Sequence, residues 1–213
     1  CNLMKYLEDY YRVNDDFESI VGLSQIMQAE AIRFAVEAHR RNMPYCMGTL
    51  YWQFNDCWPV ISWSSIDYGG NWKALHYAAR KFFSPILVSI RDLNDKIEIH
   101  VINDQHHEVI SEIRLGLFNL NGDILFKDSF EINVEPFSST IYRAFDKNDF
   151  LGGIDLSATV FRAELFVGGK VLSRAHQFFR RPKYLSIPSP EFDYKIERVR
   201  GCLLYTSDAA DDL

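Results

Sequence analysis

The sequence predicts an α/β segment followed by an all-β one: the last part of a TIM (β/α)8 barrel, an antiparallel immunoglobulin-like β-sandwich, and the start of a further β domain. Three observations carry this. Helical periodicity leads into a dense apolar run in the first fifty-odd residues, as in one αβ unit of a parallel barrel. It returns at Trp72, Leu75, His76, Ala79, Phe82 and Phe83. After Ser84-Pro85 the apolar period changes from three or four residues to two.

Taken in order, Leu23, Ile26, Met27, Ala31, Phe34, Ala35 and Ala38 recur at helical steps, opened by Gly22 or Ser24. Asn42 and Pro44 end that helix, because proline has no amide to donate and biases Met43 out of the helical region. Tyr45 to Phe54 is apolar, β-branched and aromatic, bounded by Pro44 and Asn55-Asp56, which fits a fully buried parallel strand. Alternation along it puts Trp52 and Phe54 on one face, Tyr51 and Gln53 on the other.

Beyond Pro85 come the short alternating runs Ile86-Val88-Ile90, Ile97-Ile99-Val101, Ile113-Leu115-Leu117, Phe126-Ser129-Phe130, Thr140-Tyr142 and Phe161-Ala163-Leu165-Phe166. Asn121-Gly122-Asp123, Gly152-Gly153 and Gly168-Gly169-Lys170 are among the turns between them, the pattern of an antiparallel sandwich. Phe161–Val167 and Val171–Phe179 make the clearest hairpin. Pro182, Pro188 and Pro190 form a linker, and Phe192, Tyr194, Ile196 and Val199 read as the first strand of a further domain. The expected divisions are therefore 1–83, 84–182 and 183–201, with 202–213 set apart. Those last residues, from Cys202-Leu203-Leu204-Tyr205-Thr206-Ser207 onward, resemble an in-frame translation of a transposon-end adapter used in DNA library preparation.

Composition bounds the function. The 213 residues are 47% hydrophobic and 15% aromatic, enough to fill real cores. The formal charge is −6, and leaving out Asp208, Asp211 and Asp212 of the adapter-like tail changes 29 acidic residues to 26 against 23 basic ones. Without clustered Lys and Arg no nucleic-acid partner is expected, and no apolar run has the length to span a membrane. A chain opening on Cys1 reads as a fragment, so compartment and oligomeric state stay open. Cys46 and Cys57 read as small buried hydrophobes. No CxxC spacing occurs, His106-His107 lacks a third ligand, and neither metal nor cofactor is expected.

Three of four tryptophans, Trp52, Trp58 and Trp63, lie between Tyr51 and Tyr68 beside Gln53, Asn55, Asp56 and Asp67, and Trp72 follows. An indole face stacks on the apolar C–H face of a pyranose, and amides and carboxylates satisfy its hydroxyls, so the mixture points to a carbohydrate partner. Barrel enzymes bind substrate where strands end, which makes Trp52, Asn55, Asp56 and Trp58 the candidate substrate-binding residues. Each has a plainer reading: a core tryptophan for Trp52, an Asx turn for Asn55 and Asp56, loop packing for Trp58. Trp63 and Trp72 read as scaffold.

Gly48 to Phe83, GTLYWQFNDCWPVISWSSIDYGGNWKALHYAARKFF, resembles the last barrel strand and following loop of β-mannosidases in glycoside hydrolase family 2. Leu23-Ser24-Gln25-Ile26-Met27-Gln28-Ala29-Glu30-Ala31-Ile32 and Glu37-Ala38-His39-Arg40-Arg41 match the same group. The resemblance implies a C-terminal fragment of an exo-acting, retaining enzyme that releases terminal non-reducing β-D-mannose, with Trp52 in the wall of the −1 subsite. It also implies two catalytic carboxylates on barrel strands preceding this segment, so no catalytic residue is assigned here and the fragment is expected to be inactive alone. Glu30 and Glu37 read as solvated helix charges. Galactosidase or glucuronidase specificity on the same scaffold is the near alternative. A noncatalytic carbohydrate-binding or structural sandwich is the distant one.

Overall fold

A computed structural model describes residues 2–189, 194–199 and 202–207. Helices α1 (Asn2–Tyr10), α2 (Phe17–Arg41) and α3 (Ala74–Phe82) precede the strands. α2 begins earlier than the periodicity suggests. Asp16, in extended conformation, accepts from the Ser19 amide and caps the helix, so Gly22 and Ser24 lie inside it. Its end is as read, at Asn42. Ala29 and Val36 of α2 pack on Leu75, Ala79 and Phe82 of α3 in a small apolar core.

The buried strand expected over Tyr45–Phe54 does not form. A parallel strand hides its amides and side chains only between neighbours on both sides, and the described residues supply none. Leu50 is 99% exposed and Tyr45, Met47, Trp52 and Phe54 are exposed too, while Tyr51 and Gln53 are half-buried. The barrel layer therefore does not appear among the described residues.

The sandwich is built from β1 (Ile86–Asp92), β2 (Lys96–Asn103), β3 (Val109–Asn119), β4 (Ile124–Val134), β5 (Ser138–Asp146), β6 (Thr159–Val167) and β7 (Lys170–Phe178), with the short helix α4 (Lys147–Leu151) after β5. One sheet has the order β1-β2-β5 and the other β4-β3-β6-β7, all antiparallel. Ile113, Leu115 and Leu117 of β3 face Phe161, Ala163 and Leu165 of β6 and meet Val88, Ile97, Ile99 and Val101 from the opposite sheet. Each fully buried aliphatic or aromatic side chain here contributes roughly 1.5–3 kcal/mol relative to exposure. Phe126, Phe145, Phe150 and Phe161 close one end through edge and stacked contacts of 4.3–5.9 Å between ring centres. The β6–β7 hairpin turns on Gly168 and Gly169, at φ 58° and 78°, with Val167 opposite Lys170. Both central residues of such a two-residue turn need positive φ, which glycine adopts without a Cβ clash.

Strand β2 departs from simple alternation. Glu98, His100 and Ile102 are buried as well as Ile97, Ile99 and Val101, since both faces of the strand are covered. Glu98 accepts from His100 Nε2 (3.2 Å) and pairs with Lys96 (2.7 Å), and burial holds the His100 imidazole below its ordinary pKa. The last turn of α2 packs over the neighbouring strand. Glu37, read as a solvated helix charge, is buried there with Arg40, and the Arg41 side chain is 9% exposed.

After β7, residues 181–185 return to the first helix: Arg181 and Lys183 donate to the carbonyls of Asp9 and Glu8, and Arg12 donates to that of Lys183. Beyond them β8 (Tyr194–Val199) pairs antiparallel with β9 (Cys202–Ser207), so the tail read as adapter-like supplies the second strand of a hairpin. Phe192 lies outside the described residues. No described helix is long and apolar enough to cross a membrane.

Candidate functional site

Between α2 and α3 the chain loops round so that two of its stretches lie side by side. Residues 53–56 run beside 63–66, through Ser65 N to Gln53 O (2.9 Å), Ile66 N to Phe54 O (2.9 Å) and Asp56 N to Ile66 O (3.2 Å). The limbs run parallel where Asn55 bridges Ile66, and residues 57–62 connect them. Both helices hold the base of this loop: Gln28 Nε2 donates to Trp63 O at 2.8 Å, and Gln25 Oε1 accepts the first amide of α3, Ala74 N, at 3.1 Å. Lys73 N donates to Ser65 O at 2.9 Å. A helix N-terminus leaves amides without intrahelical partners, and Gln25 satisfies one of them from another element.

The four candidate residues divide. Trp52 is 76% exposed, Trp58 and Asn55 are exposed as well, and the peptide bond between Trp52 and Gln53 is cis. Asp56 turns inward. Its carboxylate, 1% exposed, accepts from Ser62 Oγ (2.5 Å) and Gln53 Nε2 (3.3 Å) on one oxygen, and from Ser64 Oγ (2.6 Å) and Lys73 Nζ (3.3 Å) on the other. The Ser62 hydroxyl, then that of Ser64, then Lys73 hold its pKa down at about 2. A carboxylate so fully bonded has no lone pair to offer a sugar hydroxyl, and its work is to tie the loop's two limbs together. The Asx turn of the plainer reading is not among these bonds, all four of whose donors are side chains.

Lys73 and the pair Ser62 and Ser64 escaped the sequence reading. The available signal was the Ser-x-Ser spacing, which puts two hydroxyls on one side of an extended strand. Ser65 joins a second set, donating to Phe54 O at 2.8 Å, accepting from Tyr51 Oη at 3.0 Å and lying 3.1 Å from His76 Nδ1. Trp63 and Trp72, read as scaffold, are both exposed, and Trp72 packs edge-on against His76 and Tyr77. Cys57 is also exposed and Cys46 half-buried, in place of the buried positions expected. Among the described residues no group of three or more His, Cys, Asp or Glu side chains is placed to hold a metal ion.

A polar hub beneath exposed indoles thus leads into an immunoglobulin-like sandwich. Residues 95–184 match the Mannosidase Ig/CBM-like domain family. The β-mannosidase of Capra hircus is 38% identical over 108 residues, covering 46% of this chain and 12% of the goat protein. β-Mannosidase B of Aspergillus oryzae is 29% identical over 207 residues, covering 85% of this chain and 24% of its own length. The crystal structure of the Dictyoglomus thermophilum β-D-mannosidase superposes with a TM-score of 0.84 at 28% identity, over 97% of this chain and 25% of that one. In sequence and fold the chain is similar to part of these β-mannosidases, and it spans 12–25% of their length.

Proposed function

We propose that this chain is the part of an exo-acting, retaining β-mannosidase that supplies an aromatic wall of the sugar subsite and the module behind it. The exposure of Trp52 at the base of a polar-anchored loop carries this reading. In it, residues 1–83 complete the end of a catalytic TIM barrel and 84–182 form the accessory sandwich. Residues 183–201 lead into a further β domain. The bare apolar run Tyr45–Phe54 supports that arrangement, because it has the composition of a strand that belongs between two others.

Trp52 stacks on the apolar face of a terminal β-D-mannose, Asn55 hydrogen-bonds a hydroxyl and Trp58 lines a subsite. Asp56 acts one step removed, by holding the loop in shape. The nucleophile and the acid/base belong to barrel strands preceding this segment, so the segment alone does not hydrolyse mannosides. The noncatalytic alternative has less support: the sandwich's large rings Phe126, Phe145, Phe150 and Phe161 pack on one another and form no exposed platform.

The test is kinetic. In the full-length enzyme, Trp52→Ala lowers kcat/KM on an aryl β-mannoside at least tenfold, about 1.4 kcal/mol of transition-state stabilisation. Wild-type kcat/KM in the variant refutes the role of Trp52. Faster turnover of the matching β-galactoside or β-glucuronide refutes the specificity.

A further inference from the structure

We infer that Ser89 of strand β1 is a positioning residue, through which the sandwich sets the placement of the aromatic loop. The inference rests on the proposed reading of that loop as a sugar-binding wall, but the coupling itself is measurable without sugar.

Helix α2 touches both bodies. Gln25 and Gln28, near its middle, hold the loop through Ala74 N and Trp63 O. Roughly 20 Å further along, at 1.5 Å per residue, its last turn is fastened to the sandwich. Ser89 Oγ donates to Glu37 Oε2 at 2.6 Å and accepts from Arg41 Nη1 at 2.5 Å. Ser139 Oγ of β5 donates to Arg41 O at 3.1 Å. Arg40 donates to Phe82 O, at the end of α3, and pairs with Asp104 at 2.7 Å. The loop is thus strung between two helices whose far ends meet the sandwich at one polar junction.

Chemistry explains why such a junction orients. Ser89 is fully buried, and so, nearly, are Glu37, Arg40 and Arg41. An apolar contact tolerates sliding, whereas a buried carboxylate and guanidinium sharing one hydroxyl have a single arrangement in which every group is satisfied. Shifting the helix by one residue leaves charges unpaired in a dry interface, so buried ion pairs contribute more to orientation than to net stability. Ser89 sits where this sensitivity is greatest.

The experiment is amide hydrogen exchange on the full chain, reading peptides that span residues 51–75. Ser89→Ala accelerates exchange at the amides of Ser65, Ile66 and Lys73 by on the order of tenfold while β3 and β6 keep wild-type protection. Ser89→Thr, which restores the hydroxyl, returns the loop to wild-type rates. Ser173→Ala is the control: its hydroxyl accepts from Val88 N on the same strand, at 3.0 Å, without touching α2. Wild-type loop exchange in Ser89→Ala overturns the inference, as does equal acceleration in Ser173→Ala. Should Ser89→Ala not fold, Ser139→Ala carries the same test, with unchanged loop exchange overturning the inference.

Discussion

Replacing Glu37 by alanine tests whether the end of α2 is a solvated helix surface or a buried junction. The Glu37 side chain is 7% exposed, accepts from Ser89 and pairs with Arg33 at 3.1 Å and Arg41 at 3.6 Å. At an effective dielectric of about 20, a unit charge pair at that longer distance attracts by roughly 4–5 kcal/mol, much of it offset by desolvation. Removing one partner leaves the other charge buried, and such truncations cost about 3–5 kcal/mol. Arg33 is partly exposed and can turn to water, which favours the lower end, about 3 kcal/mol. For a chain of this size that lowers Tm by about 6–12 °C. Glu30 is the internal comparison: it lies on the same helix, 55% exposed, with Arg33 at 2.6 Å. Glu30→Ala is expected to cost about 0.5 kcal/mol or less. Urea unfolding, followed by far-UV circular dichroism, distinguishes the two. A Glu37→Ala midpoint shift no larger than that of Glu30→Ala refutes the buried-junction account.

The Asp56 carboxylate, held at about 2 against an ordinary 3.8, contributes stability that is complete above 3.8 and lost as pH falls through about 2. Near-UV circular dichroism of the tryptophans, all four of which lie in residues 52–72, is therefore expected to hold from pH 7 to about 3 and decay below, with loss already near pH 4 refuting the assignment. Phe161→Ala removes a fully buried ring packed against Phe145 and Phe150 and is expected to cost about 3–5 kcal/mol in the same urea titration. Leu50→Asp, on the bare apolar run, leaves the urea midpoint unchanged and lowers aggregation in light scattering at fixed concentration; a lower midpoint shows Leu50 to be packed.

The sandwich was legible because its rules are local. Ile113, Leu115 and Leu117 alternate with polar residues, and Gly168-Gly169 marks its own turn, so strand order could be followed without knowing what faces what. Charged positions on α2 were not legible in that way. Helical periodicity assigns Glu37, Arg40 and Arg41 to the polar side, and only the arrival of β1, nearly fifty residues later, turns that side into an interface. The run Tyr45–Phe54 fails for the converse reason. Its composition reads as that of a buried strand, but burial of a parallel strand depends on neighbours that no local pattern supplies. At the candidate site Trp52, Asn55 and Trp58 were legible as candidates, and all three are exposed. The inward turn of Asp56 depended on Ser62, Ser64 and Lys73 converging from positions six to seventeen residues away.

Asp56 also shows why the site divides as it does. A loop that leaves its indole faces exposed cannot bury them for its own stability, so the hydrophobic term that orders β3 and β6 is withheld from it. Order must then come from hydrogen bonds, each worth about 1 kcal/mol net and somewhat more when one partner is charged. The observed loop follows that logic: a carboxylate with four donors at its centre, Ser65 bonded to Phe54 and Tyr51, and two glutamines from α2 at its base. Because such bonds are directional, the loop takes its shape from whatever fixes α2. That makes a serine on a remote strand relevant to where Trp52 stands.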